Sequence, residues 1–254
     1  MDNFKKVQTG KKIKSKIKLS IIIPCYNEEK NIPILLKKID SIKNKDFEII
    51  IVNNGSKDKT KNLLNDISFD PNLSIINLDR NFGYGGGILK GIDKAKGEVI
   101  SWTHSDLQTD VKDVVNSYYY YKSIPNYKNY ILKGKRTKRN IFDNFFTFMM
   151  SIVSSVYLRY FLTDINAQPK LFHREFLSQL DDAPTDFSLD LFLLFRAKSV
   201  GKSILEFPVS FNKRIYEEAK GGGSFLGKIN LVIRTFIYIF KLKKKEVKNG
   251  SNNP

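Results

Sequence analysis

Cysteine is nearly absent. The 254-residue chain holds one, Cys25, which excludes an internal disulfide framework and suits a reducing compartment. Long apolar runs are missing too. The segments 144–158, uncharged and rich in aromatics, and 229–242, which contains Arg234, fall short of a bilayer span, which takes about 20 apolar residues. The opening stretch MDNFKKVQTGKKIKSKIK has no apolar core of a secretory signal, so a cytoplasmic address is expected. Zinc-finger spacing, an aromatic ribonucleoprotein signature and internal repeats are all lacking, and no nucleic acid partner is expected. Acidic residues are scarce: 26 stand against 43 Lys and Arg, for a net charge of +17. That excess suits an anionic membrane face or phosphorylated substrates, and equally a Lys-rich compositional drift. Apolar content of 41% is ordinary for a globular protein, and the length provides a substantial core.

Regular patterning begins at Leu19. LSIII, FEIIIV (47–52), LSIINL (73–78), EVISW (98–102) and NYILKG read as short buried strands. Between them Ile32, Leu35, Leu36, Ile39 and Ile42 recur at helical spacing, with Pro33 in the first turn. Leu63, Leu64 and Ile67, then Ile88, Ile92 and Ala95, then Val111, Val114, Val115 and Tyr118 mark three more helices. Strands alternating with helices predict right-handed βαβ units, a mostly parallel sheet and a ligand site at the carboxyl ends of the strands. The polar groups at 26–28, 53–58 and 104–110 would converge there.

The run NFGYGGGILKG fails the G-x-G-x-x-G spacing of a dinucleotide fold and lacks the G-K-[ST] ending of a P-loop. Close packing of a helix start is the favoured use of its glycines over direct phosphate contact. ISWTHSDLQTD (100–110) crowds His104, Asp106, Gln108 and Asp110 behind a strand. A carboxylate, a carboxamide oxygen and an imidazole suit Mg²⁺ or Mn²⁺ shared with substrate phosphates. A hydrogen-bonded polar turn is the other use of the same residues.

The ordered set IIIPCYNEEKNI, IIIVNNGSKDKT and NFGYGGGILKGIDKAKGEVISWTHSDLQTD resembles the family 2 glycosyltransferases. Within them it is similar to dolichol-phosphate mannosyltransferase and the bacterial polyprenyl-phosphate glycosyltransferases, over about residues 18–220. The resemblance implies a GT-A fold, a Rossmann-like three-layer α/β/α domain with a mostly parallel mixed sheet. It implies an inverting, metal-assisted transfer of sugar from a nucleotide-sugar donor, with Mg²⁺ or Mn²⁺. By position, Pro24, Tyr26, Glu28, Asn53, Asn54 and Asp58 would line the nucleotide pocket. Asp106, Gln108 and His104 would meet metal, and Arg136, Arg214 and Lys220 the phosphates. Asp190, then Asp164, would be the acid facing the acceptor, as base or as orienting group.

The chain departs from the family pattern at named positions. His104 replaces the first acid of the metal motif, Asn53 the first acid of the nucleotide turn, and Gln168 a glycine, while Glu217 and Ala219 alter the last loop. The expected function is transfer to a lipid-linked or polyprenyl-phosphate acceptor in cell-envelope glycan synthesis, peripheral at the inner face of an anionic membrane. The alternative is a catalytically silent nucleotide-sugar binding or scaffold protein. Apolar helices near 141–162 and 229–242 suit membrane docking, packing on the domain, or a homo-oligomer contact. The expected organisation is a basic arm at 1–17, the catalytic domain at 18–224, an amphipathic helix at 225–242 and a basic tail at 243–254.

Overall fold

The computed structural model describes residues 17–42, 44–67, 70–137, 151–152, 154–212, 214, 216, 233–240 and 242. The chain divides into two compact units. The first takes Met1–Lys138 and Ala167–Tyr216, the second Arg139–Asn166 and Glu217–Pro254. The span expected to be one domain, 18–224, is therefore shared between them. The expected basic arm and tail lie outside the described residues, apart from Ile17.

In the first unit, strands and helices alternate through the first half. They are β1 (Leu19–Cys25), α1 (Ile32–Asp40), β2 (Phe47–Asn53), α2 (Thr60–Asn65), β3 (Leu73–Asn77), α3 (Gly83–Ile92), β4 (Val99–Trp102) and α4 (Val111–Ser123). Then come β5 (Tyr130–Thr137), β6 (Lys170–His173), α5 (Leu189–Ser199) and β7 (Ser203–Ser210). The seven strands form one sheet in the order β3-β2-β1-β4-β6-β5-β7. β6 runs antiparallel to both its neighbours, and the other pairings are parallel. The expected architecture, a mostly parallel mixed sheet between helices, is present.

Alternation along the strands explains the layers. Ile21, Ile23, Ile49 and Ile51 face one side and join Leu35 and Ile39 of α1 and Val114, Tyr118 and Tyr121 of α4 in one core. Ile22 and Val52 face the other side, where Gly91 of α3 presses on them. Burying each such Leu or Ile contributes about 1.5–3 kcal/mol. Pro33 sits in the first turn of α1, where its missing N–H costs nothing. Asp110 caps α4, its side chain accepting from the Lys112 N–H at 2.9 Å.

Register also lays a polar row across the sheet. Trp102 pairs with Lys170, Lys170 with Lys133, and Lys133 with Glu206. Paired residues share a face, so these side chains lie side by side. Lys133 is 1% exposed and donates to Glu206 at 2.8 Å. Lys170 is 0% exposed, and Asp190 at the start of α5 lies 3.6 Å from its ammonium.

The second unit contains a helical stretch at 154–158 and another at 233–240. Tyr157 and Phe240 meet edge to face at 4.6 Å, while Leu158, Leu162 and Ile239 are buried. No helix among the described residues is long and apolar enough to cross a membrane.

Candidate active site

β1, β2 and β4 are parallel neighbours, so the turns that follow them emerge at one edge of the sheet. The first two turns are cross-linked. Asn27 N donates to Ser56 Oγ at 3.0 Å, Glu28 N to Thr60 Oγ1 at 2.8 Å and Glu29 N to Asp58 Oδ2 at 3.1 Å. In return Lys57 N donates to Asn27 Oδ1 at 2.8 Å and Lys59 N to Glu29 Oε2 at 2.9 Å. Asp58 thus holds the two turns together, also accepting from Thr60 N at 3.0 Å. Glu28 accepts from Asn31 Nδ2 at 2.6 Å, and Pro24 and Tyr26 are half-buried beside it.

Asn53 and Asn54 are 1% and 3% exposed, and their amides close the framework. Asn53 Oδ1 accepts from Ser56 N at 3.1 Å while its Nδ2 donates to Asn77 at 2.8 Å. Asn54 Oδ1 accepts from Phe82 N at 3.0 Å and its Nδ2 donates to Gly83 O at 2.9 Å. An aspartate at 53 could not supply the donor that reaches Asn77. Asn54 therefore fastens the second turn to the glycine-rich start of α3.

Those glycines serve packing, as their spacing predicts. A Cβ on Gly85 would stand 2.4 Å from Pro184 O, and one on Gly83, at φ +81°, 2.5 Å from Thr185 O. Gly86 N donates to Thr185 O at 2.8 Å. The loop before α5 thus sits directly on the helix start.

The third turn holds Asp106, 9% exposed. Its Oδ2 accepts from Arg214 Nη2 at 2.7 Å and its Oδ1 from Gln108 N at 3.2 Å. Gln108 Nε2 in turn donates to Asn212 O at 3.2 Å. Leu107 adopts φ +61°, the bend that lets Gln108 fold back on Asp106. Burial pushes the His104 imidazole below its ordinary value, against the pull of Asp106 and Asp190. At neutral pH it is uncharged and offers a nitrogen lone pair.

Among the described residues, no three His, Cys, Asp or Glu side chains gather as a metal cluster. One carboxylate, one imidazole and the carboxamide oxygen of Gln108 remain, the latter's amine being bonded to Asn212. That donor set fits a divalent ion which takes its other ligands from substrate phosphates.

Asp190, 2% exposed, anchors the other half of the cluster. It accepts from Trp102 Nε1 at 3.1 Å, Tyr84 Oη at 3.2 Å and Gln168 Nε2 at 3.0 Å. Tyr84 stacks between Phe187 and His104, with centroid separations of 5.0 and 5.5 Å. Burial, reinforced by the Asp190 charge, holds the Tyr84 phenol well above its ordinary value. Arg136 lies over the Phe211 ring at 5.1 Å. Asp164, at φ +36°, belongs to the second unit, and Lys220, Glu217 and Ala219 lie outside the described residues. The sequence reading missed Tyr84, Trp102 and Asn212. Tyr84 had a signal: it is the one aromatic inside GYGGG.

Residues 20–115 match the family described as Glycosyl transferase family 2. A dolichyl-phosphate beta-glucosyltransferase of Trichomonas vaginalis is 30% identical over 77% of this chain and 66% of its own length. The chain belongs to the family 2 glycosyltransferases. An undecaprenyl-phosphate 4-deoxy-4-formamido-L-arabinose transferase of Enterobacter sp. is 31% identical over 41% of this chain and 33% of the relative. This family 2 chain thus spans about two thirds of the first relative and about a third of the second. Its fold matches glucosyl-3-phosphoglycerate synthase of Mycobacterium tuberculosis, solved with Mn²⁺, UDP and glucosyl-3-phosphoglycerate. The TM-score is 0.65 at 14% identity, over 88% of this chain and 78% of that one. A Pyrobaculum calidifontis mannosyltransferase solved with GDP-Man and Mn²⁺ gives 0.60 at 17% identity, over 85% and 64%.

Proposed function

We propose that this chain transfers a sugar from a nucleotide-sugar donor to a polyprenyl-phosphate or other lipid-linked acceptor, with inversion and with Mg²⁺ or Mn²⁺. One observation carries the reading: Asp106 stands on the turn after β4, at the sheet edge where the turns after β1 and β2 also emerge, and Arg214, from the segment after β7, donates to it there. The names of the dolichyl- and undecaprenyl-phosphate relatives support the acceptor class.

In this reading the two cross-linked turns hold the nucleoside, with Tyr26 and Glu28 at its edge. Arg214 moves from Asp106 to the leaving diphosphate, aided by Arg136, and stabilises charge that grows as the glycosidic bond breaks. A divalent ion held by Asp106, Gln108 and His104 supplies Lewis-acid neutralisation of the same diphosphate when bound. A phosphate acceptor is already anionic and needs no general base. Asp190, accepting from three donors, then orients the site.

The setting we propose is peripheral, on the cytoplasmic face of an anionic membrane, in cell-envelope glycan synthesis. Ile233, Ile237 and Phe240 recur on one helix stripe at 49, 50 and 51% exposure, and Val156 and Phe161 reach 71 and 82%. Lysines at 241 and 243–245 follow the stripe in sequence. Apolar side chains with flanking lysines suit an anionic lipid surface.

Nucleotide release from UDP-, GDP- and CDP-sugars, with Mn²⁺ and a short polyprenyl phosphate, tests the activity. Release that depends on the acceptor and is lost in Asp106→Ala is expected. The silent-scaffold reading has one observation behind it, the occupation of both Asp106 oxygens by Arg214 and Gln108. It predicts donor binding with no release.

A further inference from the structure

Tyr84 touches both His104 and Gln168. Its ring lies against the His104 imidazole at 5.5 Å and 30°, and against Phe187 at 5.0 Å and 9°. Its hydroxyl accepts from Gln168 Nε2 at 2.8 Å and donates to Asp190 Oδ2 at 3.2 Å. Gln168 is 1% exposed, and its Oε1 is buried with no hydrogen-bond partner among the described residues. Turning the carboxamide over would set that oxygen against the Asp190 carboxylate, so the amine must face Tyr84 and Asp190. The orientation of Gln168 is therefore fixed by the acceptors it serves, and Tyr84 is the one that also touches His104.

We infer that Tyr84 is a positioning residue that couples His104, on the donor-phosphate turn, to Gln168 and Asp190, through its ring on one side and its hydroxyl on the other. His104 and Gln168 then act as one linked unit, and a change at either is felt at the other. The kinetic consequence rests on the proposed sugar transfer; the structural coupling does not.

The chain contains two histidines, His104 and His173, so their ring C–H resonances are assigned by comparison with His104→Asp. The His104 signals carry the ring-current displacement of Tyr84. Gln168→Leu is expected to move them while the His173 signals stay in place. In a Tyr84→Phe background, which keeps the ring and removes the hydrogen bond, Gln168→Leu is expected to move them no further. Should Gln168→Leu fail to fold, Tyr84→Phe alone breaks the same bond and is expected to move the His104 signals. The inference is overturned if the His104 signals ignore both changes, or if Gln168→Leu moves them equally with and without the Tyr84 hydroxyl. In turnover, Tyr84→Phe should lower kcat about tenfold with the donor KM within about twofold, the pattern of a lost transition-state arrangement. Equal kcat in Tyr84→Phe and wild type also contradicts it. Absence of all turnover in the wild type defeats the proposed function, while the spectra still decide the coupling.

Discussion

Arg214 Nη2 donates to Asp106 Oδ2 at 2.7 Å, so the guanidinium expected to face phosphate rests on the carboxylate expected to face metal. The pair is partly exposed, at 30% and 12% of the two side chains. In the proposed reaction, metal and Arg214 would compete for one oxygen until a diphosphate took the guanidinium.

Arg214→Ala is predicted to tighten Mn²⁺ binding in the absence of donor by about tenfold, equivalent to about 1.4 kcal/mol. The same change should weaken nucleotide-sugar binding. Titration of free Mn²⁺ by electron paramagnetic resonance reads the first, and calorimetry reads the second. Unchanged Mn²⁺ affinity would mean that the ion does not use Asp106.

Asp190→Asn is predicted to destabilise the fold by about 3–5 kcal/mol, because it removes the carboxylate beside the fully buried Lys170 ammonium. Urea denaturation checks this. A solvent-facing general base would instead lose activity at unchanged stability.

Gly85→Ala and Gly201→Ala separate packing from conformation. Gly85 is hemmed by Pro184 O and Asp186 O, at 2.4 and 2.8 Å from an added Cβ, both backbone atoms. Gly201 has φ +77° and open space around it. The first change is expected to cost more than about 2 kcal/mol through overpacking, the second about 1 kcal/mol through backbone strain alone. Equal losses in denaturation would contradict the close seating of the 184–186 loop on α3.

Asp110 gives a pH dependence. Burial pushes its carboxyl up, but the Lys38 ammonium and the Lys112 N–H pull it further down, and the net value is lowered. Its stabilisation is complete above the unfolded value of about 3.9 and is lost as pH falls through the lower folded value. Lys38→Met should flatten that acid limb. An unaltered limb in pH-dependent unfolding would show that the Lys38 contact is not made in solution.

The first half of the sheet was legible because its apolar periods are clean: Ile21, Ile23, Ile49 and Ile51 alternate, and Leu35 and Ile39 recur at helical spacing. The second half was not. α5 reads LDLFLLFRAKS, with residues 189–195 all buried, so no amphipathic stripe marks its orientation. β6 enters between β4 and β5 against their direction, a placement that depends on partners far away in sequence. Asp106 and Asp190 could be found by motif, yet their partners could not. Arg214 lies 108 residues from Asp106, and Trp102 lies 88 from Asp190. Tyr84 was hidden because attention to GYGGG falls on the glycines, whereas its hydroxyl and ring make the contacts.

In the proposed reaction Asp106 joins metal to donor. Donor affinity, measured by calorimetry for UDP-glucose and GDP-mannose with and without Mn²⁺, tests it in wild type and Asp106→Ala. Mn²⁺ is predicted to tighten binding of one donor to the wild type and to have no effect on the variant. Wild-type affinity indifferent to Mn²⁺, or an equal gain in Asp106→Ala, would contradict it.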